Sequence, residues 1–382
     1  MLSYRHTPIR HCFLYRPNLR LKFWTGYPRK LAKINTMNKI KPTLADQGAI
    51  AKFAGNLLGC PAGVVDTFRT GGNNAVCRIE AGGEYFAFKF YPPIDVDDRN
   101  RLETEFEALT FLTNNGYENI PRPIAKDLTN NCAIYSWIDG RKIAAPSNSE
   151  INQLAEFLLR LQDNKSEARE WQIGRASAAC LCPRELIDQL FDRWNKLKSL
   201  TTHSERLQQF LTSDFAPVMS RMSDSAIQNF RRADIPMDLV LAEAQQILSP
   251  SDFGFHNALI DGHRRICFID FEYFGWDDPA KAVADVMLHA GMNLPTHLGD
   301  QFRNCVGARI RETDKAFEVR LGIYIPVIAL IWCLIMLGGF VEKKWKLPGA
   351  DIDSTDRQNL NSRQLVRAMQ SLKEINLKFA NC

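Results

Sequence analysis

Two neighbouring runs of the chain carry the residue types that metal-assisted phosphoryl transfer needs. The first begins at Asp252 and ends at Asn257, and the second is an apolar run, 266–269, that ends in Asp270. In this chemistry one carboxylate meets the acceptor hydroxyl, while an amide oxygen and a second carboxylate hold Mg²⁺ against the phosphates of ATP. Magnesium prefers oxygen ligands. The spacing therefore predicts Asp252 as the catalytic residue and Asn257 and Asp270 as metal ligands.

A predicted β-hairpin positions these side chains. The turn Asp261-Gly262 joins an apolar strand at 258–260 to the strand that precedes Asp270. A carboxylate at the end of a buried strand is costly unless it is paired, and a divalent cation is a natural partner. Glu272, two residues further on, is predicted to reach a second metal ion or a cationic group of the substrate. A plain turn and a buried salt bridge are the structural alternatives for these positions.

A lysine on a strand is the second candidate for nucleotide binding. In the run 86–89, strand alternation places Ala87 and Lys89 on one face, where the small alanine leaves room for an adenine ring and the lysine reaches phosphate oxygens. The next predicted helix offers Glu103, Glu105 and Glu107 to orient the lysine, of which Glu105 is preferred. An ordinary lysine on an edge strand is the alternative.

A glycine-rich turn precedes this strand. Gly71, Gly72 and Asn74 lie between two predicted strands, and backbone amides in such a turn can cover phosphate groups. A hairpin turn without any ligand has the same composition. The turn by itself does not distinguish these two functions. Considered together with Lys89, the three residues are predicted to contact the nucleotide.

The order of the predicted elements indicates an α+β fold with two lobes. Residues 1–42 form a basic extension without periodicity, residues 43–138 a small N-lobe with an antiparallel sheet, and residues 139–382 a larger, mainly helical C-lobe. The helices predicted from apolar periodicity and capping residues are Leu44–Leu58, Arg99–Asn114, Ser149–Gln162, Arg184–Leu200, Ser204–Phe230 with a break, Met237–Ile247 and one that begins at Asp278-Pro279.

The basic charge of the chain lies at its beginning. The first 43 residues hold ten Lys or Arg and no acid, so they account for the formal charge of +5, and the remainder is net acidic. The charge therefore gives no argument for a nucleic-acid partner. The extension is interpreted as a disordered tail or as sequence upstream of a true start at Met37; an organelle presequence or a membrane-surface arm is the alternative.

Cysteine usage and hydropathy bear on the location of the protein. The ten cysteines are scattered and predict reduced thiols in a cytoplasmic protein. Residues 321–341 contain no charged side chain and are long enough to cross a membrane. They also contain Pro326 and three glycines, and a central helix of a large lobe is apolar all round as well. A buried core helix is preferred over a membrane span.

Together these residues resemble the aminoglycoside phosphotransferase and choline kinase superfamily, which has a protein-kinase-like fold. The resemblance spans residues 43–289 and includes the run Trp137-Ile138-Asp139-Gly140 at the expected hinge between lobes. It implies ATP and Mg²⁺ as cofactors, with Lys89 on the ATP phosphates, Asp252 as the catalytic residue, and Asn257 and Asp270 on Mg²⁺. The acceptor implied is a hydroxyl group of a small molecule.

The sequence departs from this family at two places and leaves the acceptor open. The family usually has His-Gly before its catalytic Asp, where this chain has Pro250-Ser251. The usual Asp-Pro-x-x-Asp helix start lacks its second acid, and the next acid is Asp285. An amino alcohol or amino sugar is the first expectation, because Glu272, Trp276 and Asp277 could receive a cation. The segment 165–248 is expected to bind this acceptor. A non-catalytic nucleotide-binding module that regulates a partner is the alternative function.

Overall fold

The computed structural model describes residues 46–70, 74–92, 97, 99–199, 204–341 and 354–380. The predicted basic extension and the turn residues Gly71 and Gly72 lie outside the described residues. The chain divides by its contacts into Met1–Ile40 and Lys41–Cys382, and all described residues belong to the second unit. The division of this unit at residue 138 stays a prediction.

A five-stranded antiparallel sheet forms the first part of the described chain, with strand order β1-β2-β3-β5-β4. Its strands are β1 (Ala62–Thr70), β2 (Asn74–Ala81), β3 (Glu84–Phe90), β4 (Pro123–Asp127) and β5 (Cys132–Ser136). Alternation along β3 places Phe88 and Phe90 in an apolar cluster with Phe53 of helix α1 (Gln47–Leu58). The helix begins at Asp46 and ends at Gly59, whose φ of 71° is the left-handed conformation common at helix ends. The side chain of Lys89 therefore lies on the opposite face of β3.

Helix α2 (Arg101–Asn114) follows β3 and packs against β4 and β5. Its buried face carries Leu102, Leu109 and Leu112 at helical spacing, together with one carboxylate, that of Glu105, which is 3% exposed. A carboxylate buried on an apolar face needs a partner with complementary charge. The fold thus brings Glu105 to the same face of the sheet as Lys89.

The rest of the described chain is mainly helical, and most predicted helices are confirmed within two or three residues. The remaining helices are α3 (Asn148–Leu161), α4 (Lys165–Glu170), α5 (Pro183–Ser199), α6 (Glu205–Gln209), α7 (Ala216–Arg232), α8 (Pro279–Leu288), α9 (Thr296–Thr313), α10 (Phe317–Met336) and α11 (Ser354–Lys378). The predicted cap of α8 is present, since the Asp278 carboxylate accepts the backbone N–H of Ala280 at 2.7 Å. The predicted break before α7 is a π-helical segment, Phe210–Phe215.

The helix predicted at Met237–Ile247 is wrong. The backbone carbonyl of Met237 accepts the N–H of Arg184 at 2.9 Å, and the N–H of Leu241 donates to the carbonyl of Leu181 at 2.7 Å. Because these backbone groups bond to the segment around the start of α5, they do not form a helical ladder. The chain runs there as turns and enters strand β7 (Ile247–Ser249).

Helix α10 corresponds to the long apolar segment. It packs against α5, α7, α8, α9 and α11, and Leu321, Val327 and Leu330 along it are fully buried. Within the described residues, one helical stretch, Phe317–Phe340, is long and apolar enough to cross a membrane. In its most apolar window, 61% of the residues are buried. In the structure this helix forms the centre of the helical core.

The predicted hairpin consists of β8 (Ala258–Ile260) and β9 (Ile266–Phe268), and β6 (Arg141–Lys142) adds a third strand beside β8. Ala258 is paired with Phe268, and the N–H of Ile269 donates to the carbonyl of Asn257 at 2.9 Å. This register places the residue before β8 directly beside the residues that follow β9. Gly140 permits the close approach of β6, because a Cβ there would lie 2.8 Å from that of Leu259.

Candidate active site

Lys89 lies at the centre of a buried cluster of charges. Its Nζ donates to Oε2 of Glu105 and to Oδ1 of Asp270, each at 2.6 Å, and lies 3.5 Å from Oε2 of Glu272. Burial alone lowers the pKa of a lysine, but the three carboxylates outweigh it and hold the pKa of Lys89 well above its usual value. Lys89 is therefore cationic and bridges the sheet, helix α2 and the segment after β9.

Glu105 is held by three donors. Besides Lys89, the hydroxyl of Tyr91 donates to Oε2 at 2.7 Å and the backbone N–H of Phe271 donates to Oε1 at 3.2 Å. The Tyr91 hydroxyl also lies 2.6 Å from that of Tyr135. Both oxygens of this buried carboxylate are satisfied, so Glu105 orients Lys89 in a single direction.

Asp270 follows the end of β9 in an unusual backbone conformation, and its side chain is partly buried, with 29% exposed. Its φ is 68°, which is uncommon for a residue other than glycine and is typical of functional sites. Burial raises the pKa of Asp270 to about 7, and the like charges of Glu272 and Glu105 add to this effect, while Lys89 opposes it. A second cation beside this carboxylate would favour its ionised form.

Glu272 faces the same cluster but already has a cationic partner. Its Oε1 accepts a hydrogen bond from Nη1 of Arg101 at 2.6 Å, and Arg101 also contacts Asp97. One oxygen each of Glu105, Asp270 and Glu272 lie within 4.8 Å of one another, a separation that a bound cation can bridge. The role of Glu272 as a metal ligand stays a prediction.

Asp252 lies on a loop between β7 and β8 that returns to the same hairpin. The residue before it, Ser251, has a φ of 68°. Nδ2 of Asn257 donates to the backbone carbonyl of Asp252 at 2.9 Å and lies 3.3 Å from Oδ2 of its carboxylate. Because Asn257 uses its amide nitrogen for the loop, its side-chain oxygen remains available for a metal ion.

Two histidines that the sequence-based interpretation missed hold the carboxylate of Asp252. Nε2 of His256 and Nε2 of His289 lie 3.0 and 3.1 Å from Oδ1 of Asp252, and the two rings stack with centroids 3.7 Å apart. The N–H of Gly291 donates to Nδ1 of His289 at 3.0 Å, so in the neutral ring the proton is on Nε2 and is donated to Asp252. Burial alone would raise the pKa of Asp252, but both histidines outweigh it and hold the pKa far below its usual range.

One of these two histidines is adjacent in sequence to a predicted site residue, and the other is distant from all of them. His256 directly precedes Asn257, so its position in the segment 252–257 was visible in the sequence. His289 is 37 residues from Asp252 and follows the end of α8, so only the packing of α8 on the loop brings it there. This pair supports the loop of Asp252, in which Pro250 and Ser251 precede the aspartate.

The expected cation site for a substrate at Trp276 and Asp277 is wrong. Both residues lie in β10 (Gly275–Asp277) and are buried, with exposed fractions of 2% and 0%. The Trp276 ring is covered by the guanidinium of Arg169 at 3.6 Å, and Oδ2 of Asp277 accepts Nζ of Lys281 at 3.3 Å. Cations of the protein itself therefore already occupy these positions.

Of the three predicted residues in the glycine-rich turn, one lies within the described residues. Gly71 and Gly72 lie outside the described residues, and Asn74 is described as the first residue of β2. Their contact with a nucleotide stays a prediction. The hairpin register nonetheless places Asp252, Asn257 and Asp270 on neighbouring segments, with Lys89 bonded to the last of them. This arrangement brings together two carboxylates, an amide side chain and an ammonium group.

A family model described as the phosphotransferase enzyme family matches residues 65–312. Among curated protein sequences no match is found. The matched residues include Lys89, Glu105, Asp252, Asn257 and Asp270.

Several solved structures have a similar fold. Spectinomycin phosphotransferase in complex with ADP and spectinomycin is 14% identical with a TM-score of 0.55, and the match covers 86% of this chain and 93% of that chain. Choline kinase from Cryptosporidium parvum is 12% identical with a TM-score of 0.54 and coverages of 83% and 90%. Choline kinase from Streptococcus pneumoniae is 14% identical with a TM-score of 0.54 and coverages of 86% and 99%. The predicted two-lobed, protein-kinase-like α+β fold is confirmed.

Proposed function

The chain belongs to the phosphotransferase enzyme family, in agreement with its resemblance to aminoglycoside phosphotransferases and choline kinases, and from this premise we propose that it transfers the γ-phosphoryl group of ATP to a hydroxyl of a small molecule. The observation that carries the proposal is the bonded connection between Lys89, Asp270, Asn257 and Asp252. A cation for phosphate oxygens and a carboxylate for the acceptor hydroxyl are the groups that this reaction requires.

Asp252 acts on the acceptor in this proposal. The carboxylate stays ionised at neutral pH because His256 and His289 donate to Oδ1, which leaves Oδ2 to accept a hydrogen bond from the acceptor hydroxyl. As the hydroxyl oxygen forms its bond to the γ-phosphorus, the bond from that phosphorus to the bridging oxygen of ADP breaks. The hydroxyl proton passes to Asp252, and the products are ADP and a phosphate monoester.

Lys89 acts on the nucleotide. Its ammonium group, oriented by Glu105, is positioned to exchange the carboxylate of Asp270 for a phosphate oxygen. This exchange releases Asp270, which is then free to bind another cation. The cluster therefore couples nucleotide binding to the availability of a metal ligand.

The residues at the ends of β8 and β9 fit a magnesium ion. Asn257 and Asp270 offer an amide oxygen and a carboxylate from adjacent strands, and Glu272 supplies a further carboxylate beside them. Such hard oxygen donors suit Mg²⁺, which would neutralise charge on the phosphates. Burial among like charges raises the pKa of Asp270, and a cation bound beside it would favour its ionised form.

The Asp252→Asn substitution tests the proposal against the alternative of a non-catalytic nucleotide-binding module. We expect phosphoryl transfer to fall by a factor of about 10² to 10⁴ while the dissociation constant for MgATP changes little, because the lost group contacts the acceptor. Asp192→Asn on the exposed side of α5 is a matched control that should leave both quantities unchanged. Tight MgATP binding without transfer to any alcohol in the unsubstituted protein would favour the binding module.

A further inference from the structure

Arg193, in the second half of helix α5, is a half-buried cation without a direct partner. Within the described residues it forms no ion pair, and its Nε is buried with no hydrogen-bond partner. Arginine side chains are rarely withdrawn from water unless they are paired, because a guanidinium group that loses its hydration needs acceptors in return. The described part of the chain therefore leaves the donors of this guanidinium unused.

The nearest acids of α5 itself do not face Arg193. Asp188 lies five positions before it and Asp192 one, whereas neighbours on one face of a helix are three or four positions apart. Both of these acids are exposed. The positions at the spacing of neighbours hold Gln189, Leu190, Lys196 and Leu197. The helix thus presents Arg193 without a carboxylate of its own beside it.

Two charged residues of other elements act on Arg193. Burial lowers the pKa of Arg193, the carboxylate of Asp285 opposes this effect, and the positive charge of Arg99 adds to it. Asp285 already has other donors, since Nζ of Lys281 donates to Oδ2 at 2.6 Å and Nε1 of Trp332 donates to Oδ1 at 3.0 Å. The neighbouring acid is therefore engaged, and the neighbouring cation repels the guanidinium.

Arg99 belongs to a second group of guanidiniums, around the ring of Tyr273. The guanidinium carbons of Arg99 and Arg101 lie 5.0 and 5.1 Å from the centroid of this ring. A single acid, Asp97, is paired with both arginines, and the side chain of Arg99 remains 43% exposed. Tyr273 directly follows Glu272 of the buried charge cluster. The exposed guanidinium of Arg99 thus lies beside the candidate active site.

Contacts also lead from Asp285 to the proposed catalytic carboxylate. Trp332, which donates to Asp285, packs edge-on against His289 with ring centroids 4.2 Å apart. Nε2 of His289 in turn lies 3.1 Å from Oδ1 of Asp252. The residues whose charges act on Arg193 therefore adjoin the candidate site on two sides, at its catalytic loop and at its charge cluster.

We propose that Arg193, together with Arg99, binds an anionic group of the acceptor, so that the acceptor is an alcohol that carries a carboxylate or a phosphate group. This inference rests on the proposed function, since it concerns the acceptor of that reaction. A planar guanidinium can donate two parallel hydrogen bonds to either oxyanion. The inference agrees with the expectation that the segment 165–248 binds the acceptor, and it replaces the expectation of an amino alcohol or amino sugar.

The test uses alcohols that differ only in the group at their other end. The acids run from 3-hydroxypropionate to 6-hydroxyhexanoate, and each is compared with the diol, the amino alcohol and the diol monophosphate of the same chain length. Dissociation constants are measured by titration calorimetry with Mg²⁺ and a non-hydrolysable ATP analogue bound. We expect the best anionic alcohol to bind at least about tenfold more tightly than its diol and its amino alcohol, because hydrogen bonds to a charged group are the stronger ones. The tighter of the carboxylate and the phosphate identifies the anion.

Substitutions in α5 show whether Arg193 is responsible. Arg193→Met keeps the apolar stem, so it should weaken binding of the anionic alcohol at least about tenfold and leave binding of the diol unchanged. Without ligand its melting temperature should stay the same or rise, because no ion pair is lost. Arg193→Lys keeps the charge without the planar fork and should bind with intermediate affinity. Lys196→Met, which removes an exposed charge from the same helix, is the control and should bind the anionic alcohol normally.

The outcomes separate this inference from the proposed function. Equal or tighter binding of the diol or the amino alcohol, no binding of any member of the series, or anion binding that Arg193→Met leaves intact would overturn the inference. A lower melting temperature of Arg193→Met with equal losses for all alcohols would also overturn it, since Arg193 would then be structural. If the anionic alcohols bind through Arg193 but none of them yields ADP from ATP, the anion site stands and the proposed phosphotransferase activity fails.

Discussion

Replacement of Lys89 by methionine removes the ammonium group that holds together two buried carboxylates, Glu105 and Glu272, and the partly buried carboxylate of Asp270. Nζ of Lys89 lies 2.6 Å from Glu105, 2.6 Å from Asp270 and 3.5 Å from Glu272, and the lysine side chain is 8% exposed. Breaking a buried ion pair by removing one partner costs about 3–5 kcal/mol, because the other charge is left without compensation. We expect Lys89→Met to lower the free energy of unfolding by this amount at pH 8.

The pH dependence of this loss identifies its cause. In the variant the carboxylates that lose Lys89 have raised pKa values, so the folded state binds protons more tightly than the unfolded chain and stability falls as the pH rises. The loss measured by urea unfolding should therefore be smaller at pH 5.5 than at pH 8. Lys52→Met on the exposed side of α1 is the control and should change stability by less than about 0.5 kcal/mol. A loss below about 1 kcal/mol, or one equal at both pH values, would refute the reasoning.

Three further predictions concern protonation and the support of the catalytic loop. Burial raises the pKa of Asp270 to about 7, and Mg²⁺ needs the ionised carboxylate, so kcat/KM for MgATP should rise as the pH increases through about 7. Glu272→Gln removes a neighbouring like charge and should shift this rise to lower pH. A pH profile that Glu272→Gln leaves unchanged would contradict the assignment. His289→Leu should lower kcat about tenfold or more with little change in nucleotide affinity. His289→Gln can still donate a hydrogen bond to Asp252 and should retain more activity. Equal losses of activity in both variants would show that His289 has a structural role alone. Burial raises the pKa of Asp277 to about 6, so the wild-type protein should lose up to about 3 kcal/mol of stability between pH 4 and pH 6, a slope that urea unfolding of Asp277→Asn should lack.

Local rules were sufficient for the elements that carry the candidate site. Strand alternation placed Lys89 away from the phenylalanines of β3, and the turn Asp261-Gly262 predicted the hairpin that sets Asn257 beside the end of β9. The choice of Glu105 among the three acids of α2 follows the helical period, since it lies on the same face as Leu102 and Leu109. These are short-range patterns, and they determine which face of an element each side chain occupies.

Contacts between distant segments were beyond such patterns. His289 reaches Asp252 only because α8 packs over the catalytic loop, and Arg101 meets Glu272 across 171 residues. The helix expected at Met237–Ile247 fails because its backbone bonds to the segment around the start of α5 instead. Trp276 and Asp277 have the composition of a cation site, but their burial against Arg169 and Lys281 depends on the tertiary structure. Propensity and motif composition do not encode these partners.

The most direct test of the central claim is a crystal structure of the protein with Mn²⁺ in place of Mg²⁺ and a non-hydrolysable ATP analogue, in which the metal is located by its anomalous signal. The account predicts a metal ion within about 2.0–2.3 Å of the side-chain oxygen of Asn257 and of the Asp270 carboxylate, with Lys89 on a phosphate oxygen and Asp252 facing the γ-phosphate. A metal and triphosphate bound elsewhere, with Lys89 still held between Glu105 and Asp270, would contradict it.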